Sequence, residues 1–314
     1  MIEVTEAPPY CAVQDLGREG LRAQGVPPAG AMDPESLSIG NLLVGNPPGA
    51  AGLEWALGQG RLRFTHSCRF AITGADSTVT LDGSSVPCWA DLVASPGAEL
   101  VLGVPRQARF AYLAIAGGVD VPEVLGSRST YLPGKFGGLE GRLVRKGDVI
   151  PSGAARPHRV RQEALPEELR PTATGSIRIL EGPQRELFTD EAWDQLLGTA
   201  FSISPTSDRM GYRLDGPALA HTAEAAFPSE PVCPGAIQVP QGSAPIVLMP
   251  DGPTVGGYPK IAVIITADLG RMAQIPPSGH PRFVPVHREE ALTALQDGRA
   301  RVEHVRAWLS STAT

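Results

Sequence analysis

A mainly β fold, built from short strands joined by tight turns, is what this chain predicts. The 314 residues include 36 glycines and 31 prolines. These residues supply turns and cannot sustain long helices. There is no Gly-X-Y period, and 42% of the residues are hydrophobic, so collagen and disorder are both excluded. Between Ala51 and Ile150, short β-branched or aromatic runs (GLEWAL, GRLRFT, FAITGA, STVTLDG, ELVLGV, RFAYLAIAG) recur with turn residues between them. A spacing of about 8–12 residues reads as an antiparallel barrel or sandwich.

The elements follow in order. Met1–Thr5 reads as a strand. Asp33 before Pro34 starts a helix, with an N-cap acceptor followed by proline at the first helical position. Leu37, Leu42 and Leu43 form its apolar stripe, and Gly45-Asn46 with two prolines closes it. The insert VDVPEVLGSRSTYLPGKFGGLEGR is too long and too glycine-rich for a hairpin and reads as a functional loop. A polar, proline-rich segment then gives the expected organisation: an N-terminal β-barrel half over 1–155, a linker over 156–174 and a C-terminal half over 175–314. The second half opens on SIRILEGP, carries a short helix at Thr189–Leu197, and ends in a helix over Arg288–Leu309. A faint echo between the halves leads in each to an acid, Glu54 or Glu230. On the residues alone, a structural repeat and coincidence both remain open.

Composition narrows the function. The net charge is −6 and no Lys/Arg block stands out, so a nucleic-acid footprint is not expected. No run approaches the roughly 18 apolar residues of a membrane span. MIEVTEAPPY lacks the basic and apolar regions of a signal peptide, and a cytoplasmic protein is expected. Cys11, Cys68, Cys88 and Cys233 form no C-x-x-C pair and are expected as reduced thiols. The six histidines show no metal-binding spacing, so no metal site is expected.

Familiar chemistries fail on inspection. There is no G-x-S-x-G elbow. Gly134-Lys135 resembles the end of a P-loop, but Ser129 and Phe136 stand where glycine and Ser/Thr belong. Ala31-Met32 is followed by Asp33, not by a lysine that could carry biotin.

The informative stretch is 203–266, above all SPTSDRMGYR and DGPTVGGYPK. Arg209, Arg213 and Lys260, with Arg128 from the earlier insert, all sit in turn-rich sequence. Convergent Arg and Lys make an anion site able to stabilise an oxyanion or phosphoryl charge. Asp33, Glu54 and Glu230 are the matching acids, each also able to pair structurally with an arginine. Lys260, Arg209 and Glu230 are the expected catalytic residues. Arg128, Thr130, Arg213, Gln238, Tyr258 and Glu54 are the expected substrate contacts.

The runs GVPPAGAMDPESLSIGNLLVGNP, LAIAGGVDVPEVLGSRSTYLPGKFGGLEGR, SPTSDRMGYRL and SEPVCPGAIQVPQGSAPIVLMPDGPTVGGYPKIAVI carry a family resemblance over about residues 12–285. The chain resembles the allophanate hydrolase subunit 2 family, also called the biotin-dependent carboxyltransferase family. Its stand-alone members include the C subunit of ATP-dependent 5-oxoprolinase and the regulator KipA. Lys135 departs from the pattern, standing where a second glycine is common. So does Met249-Pro250-Asp251-Gly252-Pro253, which replaces a more usual polar run. The resemblance implies two related cyclophilin-like β-barrel halves with a site between them. It implies two partners, the KipI-like B subunit and the LamB/YcsF-like A subunit of 5-oxoprolinase. It implies ATP with Mg, and a reaction that opens the lactam of 5-oxoproline to L-glutamate. The alternatives it carries are a carboxyltransferase receiving CO₂ from carrier-delivered biotin, as in urea carboxylase, and a non-enzymatic binder of a KipI-like kinase inhibitor.

Overall fold

The computed structural model describes residues 1–157, 163–222 and 227–311. Part of the expected linker, 158–162, lies outside the described residues. Twenty strands against four α-helices make the chain mainly β among the described residues. The architecture is a curled half-barrel sheet with few helices and a C-terminal helix, as the turn-punctuated sequence predicts. Two compact units divide the chain. Unit 1 comprises Met1–Arg18, Ala29–Pro171 and Arg299–Thr314, and unit 2 comprises Glu19–Pro28 and Thr172–Gly298.

Unit 1 holds β1 (Ile2–Glu6), β2 (Tyr10–Gln14), α1 (Pro34–Leu43), β3 (Gly52–Ala56), β4 (Gly60–Phe64), β5 (Cys68–Asp76) and β6 (Val79–Leu81). It continues with β7 (Ser84–Ser85), β8 (Leu92–Ala94), β9 (Glu99–Leu102), β10 (Arg106–Ile115) and β11 (Val149–Ile150). One sheet runs β11-β1-β4-β9-β6-β7 and the other β2-β3-β10-β5-β8. In β4 the pattern GRLRF alternates: Leu62 and Phe64 are buried, and Arg61 and Arg63 face outward. The buried faces meet in one core that includes Val4, Trp55, Phe64, Phe70 and Leu113. Each fully buried side chain of this size contributes about 1.5–3 kcal/mol.

The outer face of β5 and β10 is covered by α1, so those strands are buried on both sides. Gly40 permits the close approach, because a Cβ there would press on Thr73 Oγ1. Asp33 caps the helix as expected, accepting from the Ser36 amide at 3.1 Å.

Unit 2 holds β12 (Ile177–Glu181), α2 (Asp190–Gly198), β13 (Ser202–Ile203), β14 (Gly211–Asp215), β15 (Glu230–Pro231) and β16 (Ala236–Gln238). After these come β17 (Ile246–Leu248), β18 (Val255–Gly256), β19 (Lys260–Ile264), α3 (Leu269–Gln274) and β20 (Phe283–Pro285). A seven-stranded sheet runs β13-β14-β17-β16-β19-β12-β20, and β15 and β18 form a separate two-stranded ribbon. The β12–β20 pairing is parallel. Thr189 caps α2 through the Ala192 amide.

The last helix, α4 (Arg288–Ser310), matches the predicted span to within one residue. From Arg299 onward it groups with unit 1 rather than with the C-terminal half expected from chain order. The reason is apolar: Val302, Val305, Trp308 and Leu309 pack with Ile39, Leu42, Leu43 and Trp89. Arg301 adds an ion pair to Glu35 at 2.6 Å. Among the described residues, no helix is long and apolar enough to cross a membrane.

Candidate functional site

In unit 2, the segment leading into β19 builds the most reactive-looking group of side chains. Antiparallel pairing sets Ile237 opposite Ala262, but then Gln238 opposite Lys260. The register therefore slips by one residue, and Ile261 is the extra residue of a β-bulge. Bulges re-aim side chains beside functional sites. Here the slip places Lys260 directly across from Gln238.

Lys260 is only 3% exposed. Its Nζ forms a close ion pair with Glu230 Oε1 and stands 5.1 Å from the centroid of the Phe227 ring. A lysine ammonium has three N–H donors. Beyond Glu230, this one has no hydrogen-bond acceptor among the described residues. Glu230 lies at the edge of the site, with its side chain 34% exposed. Gln184 ties the two together. Its Nε2 donates to Glu230 Oε1 at 3.0 Å, and its Oε1 accepts the Lys260 amide at 3.2 Å. The hydrogen-bonded Lys260 ammonium holds the Glu230 carboxyl below its ordinary range, and Gln184 lowers it further.

Arg209 has a different fate. Its Nε and Nη2 donate to Asp251 Oδ2 and Oδ1 at 2.9 and 2.7 Å, a bidentate fork with both residues buried. The Asp251 amide returns a bond to the Arg209 carbonyl at 3.0 Å. This clamp fastens the SPTSDRMGYR turn to the DGPTVGGYPK turn. Arg213 has an exposed side chain, and its backbone bonds to Ser207 Oγ and to the Ser204 amide. Gln238 is buried and donates weakly to the Tyr258 carbonyl at 3.4 Å, under the GGYPK loop. Gly256 lets the Gln238 amide approach closely, since a Cβ there would make Gln238 Nε2 shift. Tyr258 itself is 47% exposed.

The remaining predicted residues lie in unit 1. Glu54 is fully buried, accepting from the Met32 amide at 2.7 Å, Tyr112 Oη at 2.8 Å and Tyr10 Oη at 3.1 Å. Burial, then the Glu54 charge, pushes the Tyr112 phenol well up, and the same causes push the Cys11 thiol up to about 12. Thr130 is also fully buried and donates to the Val13 carbonyl at 3.0 Å. Both side chains are thus enclosed and engaged by unit 1's own groups. The Glu54–Glu230 echo joins two acids in unlike surroundings.

Arg128 belongs to the long insert, whose turns are fixed by Asp15. That carboxylate accepts from Ser127 Oγ at 2.6 Å, Ser129 Oγ at 2.5 Å and the Arg128 amide at 2.6 Å. The Arg128 guanidinium is bound to Glu123 at 2.6 Å and to the Val121 carbonyl at 2.8 Å. It borders an open cleft of about 490 Å³ shared with Asn46, Gly117 and Arg156. Lys135 adopts a left-handed backbone at φ 54°, the conformation that favours glycine there.

Within its own unit, each of three expected cations meets an acid. Arg209, Arg128 and Lys260 each have a carboxylate of their own. Gln184, Asp251 and Phe227 were missed. Gln184 sits in EGPQ, one turn after the first strand of unit 2, and no charge marks it in the sequence.

Comparison with known proteins bears on this arrangement. Residues 24–285 match the carboxyltransferase domain, subdomain A and B. The chain belongs to that carboxyltransferase family. It is 41% identical to the C subunit of Escherichia coli 5-oxoprolinase, over 98% of both chains. It is 32% identical to urea amidolyase of Saccharomyces cerevisiae, over 92% of this chain but 17% of that one. The crystal structure of the K. lactis urea amidolyase superposes with a TM-score of 0.91 at 29% identity, covering 97% of this chain and 20% of that chain. The carboxyltransferase match takes in Arg128, Arg209, Glu230, Asp251 and Lys260, and also Gln184.

Proposed function

We propose that this chain is the C subunit of an ATP-dependent 5-oxoprolinase. In this reading it works with the KipI-like B subunit and the LamB/YcsF-like A subunit to open the lactam of 5-oxoproline to L-glutamate. The observation that carries the reading is the end-to-end match to a stand-alone C subunit, 98% of each chain. The urea amidolyase relatives, by contrast, are several times longer.

The chemistry asks for charge stabilisation. A lactam is a poor electrophile. Its C–N bond breaks as water oxygen adds to the carbonyl carbon, while ATP goes to ADP and phosphate. Negative charge develops on the lactam oxygen, or on phosphoryl oxygens attached to it, and a preorganised donor in a water-poor place lowers that barrier. Lys260, held by Glu230 and still carrying unused donors, is suited to this. The described residues contain no group of three carboxylate, histidine or cysteine side chains that could hold a metal ion.

The test is reconstitution. The chain is mixed with the A and B subunits, ATP, Mg²⁺ and 5-oxoproline, and glutamate is assayed with each component omitted in turn. Glutamate appearing only in the complete mixture is the expected result. Lys260→Ala should then lower turnover by about 10²-fold or more. Absence of glutamate from folded, co-purifying subunits would overturn the reading. It would favour the second one, carboxyl transfer from carrier-borne biotin, which the carboxyltransferase match also supports. A biotinylated carrier protein and urea-like acceptors test that directly.

A further inference from the structure

Lys260 was the sequence's foremost candidate, yet it is the most enclosed member of its group, with a side chain 4% exposed against 34% for Glu230. Glu230 Oε1 is occupied by Lys260 and Gln184. Its other oxygen, Oε2, has no hydrogen-bond partner among the described residues. The more exposed end of the site is therefore the Glu230 carboxylate. Behind it lies the Lys260 ammonium, which has donors to spare but no exposed surface.

A charged acceptor at the exposed edge suits a ligand that offers an N–H, as an amide does. We infer that Glu230, through Oε2, accepts the N–H of a lactam or ureido substrate, and that Gln184 is the positioning residue presenting it. This deepens the reading above and rests on it for the identity of the amide.

Glu230 acts here as a hydrogen-bond acceptor rather than a general base. Lys260 and Gln184 both stabilise its ionised form, which makes it a poor proton abstractor near neutral pH. The same bonds make it a well-directed charged acceptor, the stronger class of hydrogen bond. Gln184 contributes direction. It is bonded to both the Glu230 carboxylate and the Lys260 backbone, so the two cannot drift apart without breaking it.

The experiment compares amides that differ only in their N–H. The full chain, alone and in the reconstituted complex, is titrated calorimetrically with 5-oxoproline and its N-methyl derivative, and with urea and tetramethylurea. Wild type should bind the N–H member of a pair about tenfold or more tightly, the scale of a lost bond to a charged group. Glu230→Ala should bring the two members of the pair to within about threefold. Glu230→Gln guards against misfolding, because it keeps the side chain's shape. It should show partial discrimination.

Equal binding of the methylated and unmethylated ligands by wild type overturns the inference. So does failure of the complex to bind either N–H amide at millimolar concentration. If urea binds with Glu230-dependent discrimination and 5-oxoproline does not, the oxoprolinase reading fails and the inference about Glu230 stands. For Gln184→Ala, the expected signature is a raised KM with kcat nearly held, and a Glu230 titration by ¹³C NMR that moves upward. Gln184→Asn should leave more discrimination than Gln184→Ala. An unmoved Glu230 titration with unchanged KM assigns Gln184 a purely structural role.

Discussion

Two ion pairs in unit 2 look alike in sequence and differ in the fold. Arg209–Asp251 is closed, with side chains 6% and 2% exposed and two parallel hydrogen bonds. Lys260–Glu230 is half open, with the cation enclosed and the carboxylate at the edge. A closed bidentate pair spends all of its hydrogen-bonding capacity on the protein and serves as a clamp. A half-open pair keeps capacity for something else. The sequence puts Arg209 and Lys260 in equivalent glycine-rich turns and ranks both as catalytic. Only the placement of their acids separates the roles.

The largest effect expected from this contrast follows breaking the closed pair. Asp251→Ala leaves a buried guanidinium without its carboxylate and should cost about 3–5 kcal/mol, read from urea unfolding of the purified chain. A loss under about 1 kcal/mol would mean that the clamp is not structural, and the comparison would collapse.

A third pair sharpens the contrast. Arg69 and Asp91 are both enclosed, but they approach only to 3.5 Å. Burial outweighs the arginine and pushes the Asp91 carboxyl up from 3.8 to about 6. The folded state therefore binds an extra proton between those values. The stability Asp91 contributes is fullest below pH 3.8 and falls as pH rises through about 6, by on the order of 3 kcal/mol. Asp91→Asn should remove this decline from the pH–stability curve. Glu230 works in the opposite sense. Its lowered pKa gives stability present above about 4.5 and lost as pH falls through the folded value.

The smallest effect is at Arg213. Its side chain is exposed and has no acceptor among the described residues, so Arg213→Ala should change stability by less than about 0.5 kcal/mol. A larger loss would show that it pairs as Arg209 does.

Periodicity and capping determined the elements. The Leu62/Phe64 alternation, the Asp33-Pro34 cap, the short helix after Thr189 and the apolar spacing of the last helix are local, and all are legible without the fold. The quoted runs also determined the family. What lies beyond local pattern was decided by tertiary structure. From Arg299 the last helix groups with unit 1, since an apolar stripe fixes that something is covered but not what covers it. Glu54 and Thr130 are consumed by partners up to 117 residues away. A one-residue bulge sets Lys260 across from Gln238, and an uncharged Gln184, 76 residues earlier, joins it to Glu230. Charge and turn composition mark where a site can form. Which carboxylate each cation meets depends on chain crossings that no local pattern encodes.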